Sequence, residues 1–129
     1  MSEKQAKALF IVAALYDGIL GIAFILFASE IFVFYGVEPP NHMAYVQFPA
    51  LLLLIFATMF YRISTNPAKY RELILYGCAL KTSYCVLAFG YLVTTGIPTM
   101  WIPWAWADVV FLVLFILAYR SLGNEARVA

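Results

Sequence analysis

Gly77-Cys78-Ala79-Leu80-Lys81-Thr82-Ser83-Tyr84-Cys85 sets a lysine and a run of hydroxyl side chains inside an apolar segment of membrane-spanning length. A lysine at the centre of a membrane helix costs roughly 2.5–3.5 kcal/mol on insertion scales, while each Leu or Ile returns only about 0.3–0.6. Lys81 therefore needs a partner. Two acids, Asp17 and Asp108, lie inside other apolar runs.

Composition supports the membrane reading of that stretch. Of 129 residues, 65% are hydrophobic and 12% charged, whereas in soluble domains about a quarter are charged. The expected class is all-α: a polytopic membrane protein built as a four-transmembrane-helix bundle, one domain over residues 1–129. A net charge of +1 excludes the strongly basic surface that nucleic acid requires. The first apolar run, from Ala8 to about Phe34, is much longer than the roughly 7–15 residue core of a signal peptide and is expected to be retained as a span.

Four spans are expected, near residues 8–35, 43–61, 70–95 and 102–119. The first exceeds the roughly 20 residues needed to cross, so it should tilt or extend beyond the hydrocarbon. Its small residues Ala14, Gly18 and Gly21 lie on neighbouring turns and invite close approach of another helix. In the second span Pro49 falls near the start, where proline costs a helix least. Asn66-Pro67 reads as an N-cap and first-position pair for the third helix, and Gly96 with Pro98 reads as its stop. Trp101, Trp104 and Trp106 form one aromatic belt and Tyr61, Tyr70 and Tyr119 the other. Ser121 to Ala129 is a polar tail.

Under this count Lys4, Lys7, Arg62, Lys69, Arg71, Arg120 and Arg127 all fall on one side. The bias of basic residues toward the inside predicts both termini and the 62–72 loop in the cytoplasm, with the chain in the plasma (inner) membrane. Asp17 is ten residues from Lys7, Lys81 ten from Arg71 and Asp108 twelve from Arg120. At about 1.5 Å per residue the three charges sit about 15–18 Å deep, near the middle of a hydrocarbon core about 30 Å thick. On the third helix Gly77, Lys81, Tyr84, Cys85 and Ala88 share a face, as do Trp104, Asp108, Leu112 and Phe115 on the fourth; both faces are expected to point inward.

Asp17, Lys81, Tyr84 and Asp108 are thus the candidate ligand- or proton-binding residues, with Thr82 and Ser83 as further hydrogen-bonding groups. Intramembrane ionisable residues commonly mark a substrate or proton path. The competing reading is that the charges only hold helices together, at less than about 1 kcal/mol per contact. Two acids against one lysine leave an excess carboxylate, and a shared site of low dielectric favours a proton on one of them. His42 is the single histidine, which excludes bis-histidine haem and leaves no zinc spacing. Cys78 and Cys85, seven positions apart on one helix, are beyond disulfide reach of each other and lack the redox spacing. No metal or other cofactor is expected.

In plan, with four spans, internal termini and the stretch Tyr16-Asp17-Gly18-Ile19-Leu20-Gly21 early in the first helix, the chain resembles small bacterial membrane proteins of the DoxX/BphX-like type. That resemblance implies an association with quinone-linked redox enzymes and transfers no site residues. Three functions follow from the sequence: a membrane protein that binds or transports a small or lipophilic ligand with proton involvement; an enzyme or redox-complex subunit acting on a quinone-like substrate; and a purely structural accessory subunit. Whether the chain is an enzyme is left open. The expected partners are the lipid bilayer, a lipophilic ligand, and either further copies of the chain or a larger membrane complex.

Overall fold

Ser2 opens the first helix. Its hydroxyl accepts the Gln5 N–H at 3.1 Å, and the Gln5 side chain accepts the Ser2 N–H at 2.8 Å, a reciprocal cap that satisfies two of the donors a helix start leaves unpaired. The segment expected to be a polar tail is therefore already helical at Glu3. The computed structural model describes residues 1–128, and the side chains of residues 1–123. Ala129 and the side chain of Arg127, both part of the sequence expectation, lie outside the described residues.

The described residues form α1 (Glu3–Leu26), α2 (Ala28–Tyr35), α3 (Ala44–Thr65), α4 (Leu73–Leu92), a single 3₁₀ turn at Thr99–Trp101, and α5 (Ile102–Val128). Four of these helices are long and apolar enough to cross a membrane, so the chain is a multi-pass, all-α membrane protein. On α1 the buried residues are Ala6, Phe10, Ala13, Asp17, Gly21 and Phe24. Their spacing in steps of three or four residues traces one inward stripe.

The expected first span is two helices. The chain breaks at Phe27, whose φ of −126° and ψ of 23° leave the helical region, although no Pro or Gly stands there. The break has a tertiary reason. It turns α2 so that Phe32 packs edge-on against Trp101 at 6.1 Å, beside the stacked Phe24–Trp101 pair at 5.8 Å. A straight helix would carry Phe32 away from that ring.

Further boundaries differ from expectation: α3 runs on to Thr65, past the expected end at 61, and α4 stops at Leu92, short of the expected 95. Pro49 lies inside α3, on its second turn, where it denies the Tyr45 carbonyl its helical donor. The start of α3 is held instead by His42, whose Nδ1 accepts the Ala44 N–H at 3.0 Å. Asn66 does accept from the chain ahead, taking the Lys69 N–H at 3.3 Å, but residues 67–72 are turns and regular helix begins at Leu73. The 121–128 segment, expected as a tail, continues α5. Gly96 behaves as expected: its φ of 87° lets its N–H reach back to the Tyr91 carbonyl at 2.6 Å, a turn that a side chain would strain.

The backbones pack as two pairs of sequential helices, α1 with α3 and α4 with α5. Gly21 permits the first pair, since a Cβ there would stand 2.8 Å from the Ala50 carbonyl oxygen, and Gly18 faces Ala57. Gly18 and Gly21 thus serve contacts within the chain. Side chains bridge the two pairs. Near the basic end Phe10 and Phe115 stack and Phe60 packs tilted against both, with centroids 4.8–6.0 Å apart, among Ala13, Ile63, Ile74, Ala118 and Leu122. Gly77 makes room for them, because a Cβ there would lie 2.7 Å from the Phe60 ring. At the same end the Arg71 guanidinium lies 3.6 Å over the Tyr119 ring and its Nε donates to the Tyr119 carbonyl at 2.8 Å.

Candidate functional site

Midway along the bundle the aromatic packing gives way to the three charges. The depth count along each helix predicted that they meet, and they do. The Lys81 ammonium donates to Asp17 Oδ1 at 2.9 Å and pairs with Asp108 Oδ1 at 3.0 Å. One acid comes from α1 and the other from α5, so the lysine on α4 ties both helix pairs together. Asp17 and Lys81 are each 1% exposed and Asp108 7%, so all three charges are buried. The rings of Phe111, Tyr16 and Phe60 surround the ammonium with centroids at 5.1, 5.2 and 5.8 Å, adding cation–π attraction to the two ion pairs.

The faces are those expected. Gly77, Lys81 and Ala88 are buried on α4 with Tyr84 and Cys85 half-buried beside them, and on α5 Asp108 and Phe115 are buried with Trp104 and Leu112 half-buried. Ala105, Ala118 and Leu122 complete the α5 face.

The cluster forms the floor of a cavity of about 800 Å³ that rises toward the 36–42 loop. Its wall is mainly aliphatic and aromatic. Val37, Pro39 and Pro98 line it near the loop end, and Leu52 and Leu53 of α3 and Ser83 and Leu87 of α4 line it along the bundle. Leu52 and Leu87 are themselves exposed. The cavity is therefore bordered by exposed apolar side chains of both α3 and α4.

Several expected roles change. Tyr84 lines the cavity, but its hydroxyl donates to the Trp101 carbonyl at 2.7 Å and is bonded away from the charges. Ser83 also lines the cavity, yet its hydroxyl donates to the Leu80 carbonyl of its own helix at 2.8 Å, and Thr82 is exposed on the outside. Cys85 Sγ makes a contact of 3.5 Å to the Ala105 carbonyl, and both cysteines are free thiols. Trp101 and Trp104 line the cavity, leaving Trp106, 60% exposed, as the member of the expected belt that faces outward. Among the described residues no group of His, Cys, Asp and Glu is arranged to hold a metal ion.

The residue that sequence reasoning missed is Tyr16. Its ring stacks at a tilt with Phe111 (5.1 Å) and Trp104 (6.3 Å), and its buried hydroxyl has no hydrogen-bond partner. Asp17 Oδ2 is likewise buried and unpartnered. Buried polar atoms are nearly always paired, so two orphans on the wall of one cavity are an exception that a ligand would explain. The available signal was position: Tyr16 adjoins the only acid in the middle of the first span. No protein-family model matches the chain, and no curated protein or solved structure matches it.

Proposed function

We propose that the chain is a membrane-embedded binding or transport protein that takes a lipophilic ligand with a polar head into the cavity, its head on the Asp17–Lys81–Asp108 floor. The observation that carries this reading is the pair of orphaned atoms, Tyr16 Oη and Asp17 Oδ2, on two residues that line a mainly apolar cavity. Binding sites are commonly apolar cavities of this size with a few convergent polar groups. The border at the exposed Leu52 and Leu87 offers entry from the lipid side, and the acid-rich floor gives a proton a place in the cycle. We place the basic end, with both termini, in the cytoplasm of a cell whose inner membrane holds the chain; labelling a cysteine at position 66 from outside intact cells tests that orientation.

A quinone-like ligand, as the DoxX/BphX-like resemblance implies, is the second reading. It is favoured by the free Tyr16 hydroxyl, which can donate to a ring carbonyl beneath the Trp104 and Phe111 rings. Both readings need an occupied cavity. The test uses Trp106→Phe protein in lipid discs, leaving Trp101 and Trp104 as cavity reporters, and titrates 4-(4-bromophenyl)butan-1-ol as a heavy-atom quencher. Saturable quenching that is lost in the narrowed Leu53→Phe/Ser83→Phe variant is expected. Quenching no greater than lipid partitioning gives would overturn the cavity as a site, and a co-purifying quinone in solvent extracts would favour the second reading.

A further inference from the structure

Resting on the binding reading above, we propose that the cavity selects a lipophilic organic cation, in chemical class a protonated alkyl or arylalkyl amine, over a neutral molecule of the same shape. Three observations converge on it. First, Asp17 and Asp108 share the single ammonium of Lys81, so the floor carries one carboxylate more than it has cations. Second, the unused oxygen is identified: Asp17 Oδ1 is taken by Lys81, while Oδ2 is buried without a partner. A carboxylate oxygen only accepts, so its ligand must donate. Third, the cavity is lined by the aromatic side chains of Tyr16, Phe24, Trp101 and Trp104, a residue type whose ring faces attract a cation, as the rings around Lys81 already do.

An alkylammonium satisfies all three: it brings the missing positive charge, it donates N–H to a carboxylate oxygen, and a phenol oxygen such as that of Tyr16 can accept from it as well. A ketone or ester carbonyl can only accept, and so leaves Oδ2 orphaned. A hydroxyl can donate to a carboxylate oxygen and brings no charge. The excess carboxylate is compensated either by the ligand's charge or by a proton, and not by both. When the cation binds, its own protons stay on nitrogen, and any proton held between Asp17 and Asp108 leaves for water. The groups around this exchange are Tyr16 on α1, Lys81 and Tyr84 on α4 and Asp108 on α5, with Tyr45 of α3 and Glu38 of the 36–42 loop also lining the cavity and Cys85 of α4 beside Ala105. Acidification therefore weakens binding of the cation and leaves binding of a neutral analogue unchanged.

The test is calorimetric titration of the protein in lipid discs, with empty discs as the blank, using 4-phenylbutylammonium chloride and 4-phenylbutan-1-ol. The amine keeps its charge between pH 5 and 8 because alkylammonium groups titrate near about 10, so any pH dependence belongs to the protein. Expected at pH 8 is at least about tenfold tighter binding of the amine, the scale of one charge-assisted hydrogen bond, with that advantage shrinking toward pH 5. Asp108→Asn, which preserves the Asp17–Lys81 pair and removes the excess charge, should erase the advantage while the alcohol still binds. Equal binding of the two probes to the unmodified protein, or an advantage that survives Asp108→Asn, would overturn the cation selectivity and leave the cavity reading standing. Absence of binding by either probe would remove both.

Discussion

The two ends of the bundle are built on different principles. At the basic end the four long helices close on a solid plug: Phe10, Phe60 and Phe115 pack together, and aliphatic side chains fill the remaining space. At the other end the helix pairs part around about 800 Å³ of cavity, and the smaller cluster of Phe24, Phe32, Ala50 and Met100 is assembled with the help of α2 and the 3₁₀ turn. The charges lie at the boundary. In lipid, association of helices rests on van der Waals packing and polar contacts, because the tails are as apolar as the side chains. The packed end thus supplies the cohesion that allows the other end to stay open.

The largest effect is expected at the boundary. Lys81→Leu strands two buried carboxylates and should lower stability by about 3–5 kcal/mol, read as a fall in thermal unfolding temperature in mild detergent. Asp17→Leu alone should cost less, since Asp108 still pairs with Lys81, and the Lys81→Leu/Asp17→Leu double should recover part of the loss. Strictly additive losses would mean that Lys81 does not touch Asp17 in solution.

Next in size is the contrast between the ends themselves. Phe115→Ala removes a ring from the plug and should cost about 3 kcal/mol, the lower part of the range for such truncations. Leu20→Ala only enlarges space that already exists beside the cavity, and should cost about 1 kcal/mol or less. Equal losses in the same unfolding assay would show that the cavity end is as tightly filled as the plug.

The smallest contrast lies within the α1–α3 pair. A methyl at Gly21 meets the Ala50 carbonyl oxygen at 2.8 Å, backbone that cannot step aside, whereas one at Gly18 meets the Ala57 Cβ at 3.6 Å, ordinary contact. Gly21→Ala should therefore destabilise by about 1–3 kcal/mol, and Gly18→Ala should stay within about 0.5 kcal/mol of the parent. Reversed rankings would place α1 against some other helix.

These contrasts also separate what was legible in the sequence from what was not. Spans, charge depth and the inward faces of α4 and α5 could be read because each depends on a local quantity: hydropathy, rise per residue or helical spacing. Asp17, Lys81 and Asp108 had to meet because an isolated charge at that depth is too costly. Hydroxyls were harder. Tyr84 looked available from its place on the Lys81 face, but a hydroxyl bonds whatever carbonyl is nearest, and Trp101 arrives from a turn seventeen residues away.

The sequence by itself determined that this is an all-α bundle of four apolar spans with one cation and two acids at a common level, since burial of charge and the length of apolar runs leave few alternatives. Only the tertiary structure decided that α1 pairs with α3, that the chain bends at Phe27 to set Phe32 against Trp101, that two of the three tryptophans turn inward, and that Tyr16 Oη and Asp17 Oδ2 remain unbonded. Those outcomes depend on how rings and carbonyls from distant segments compete for the same space, and no periodicity along one helix records that competition.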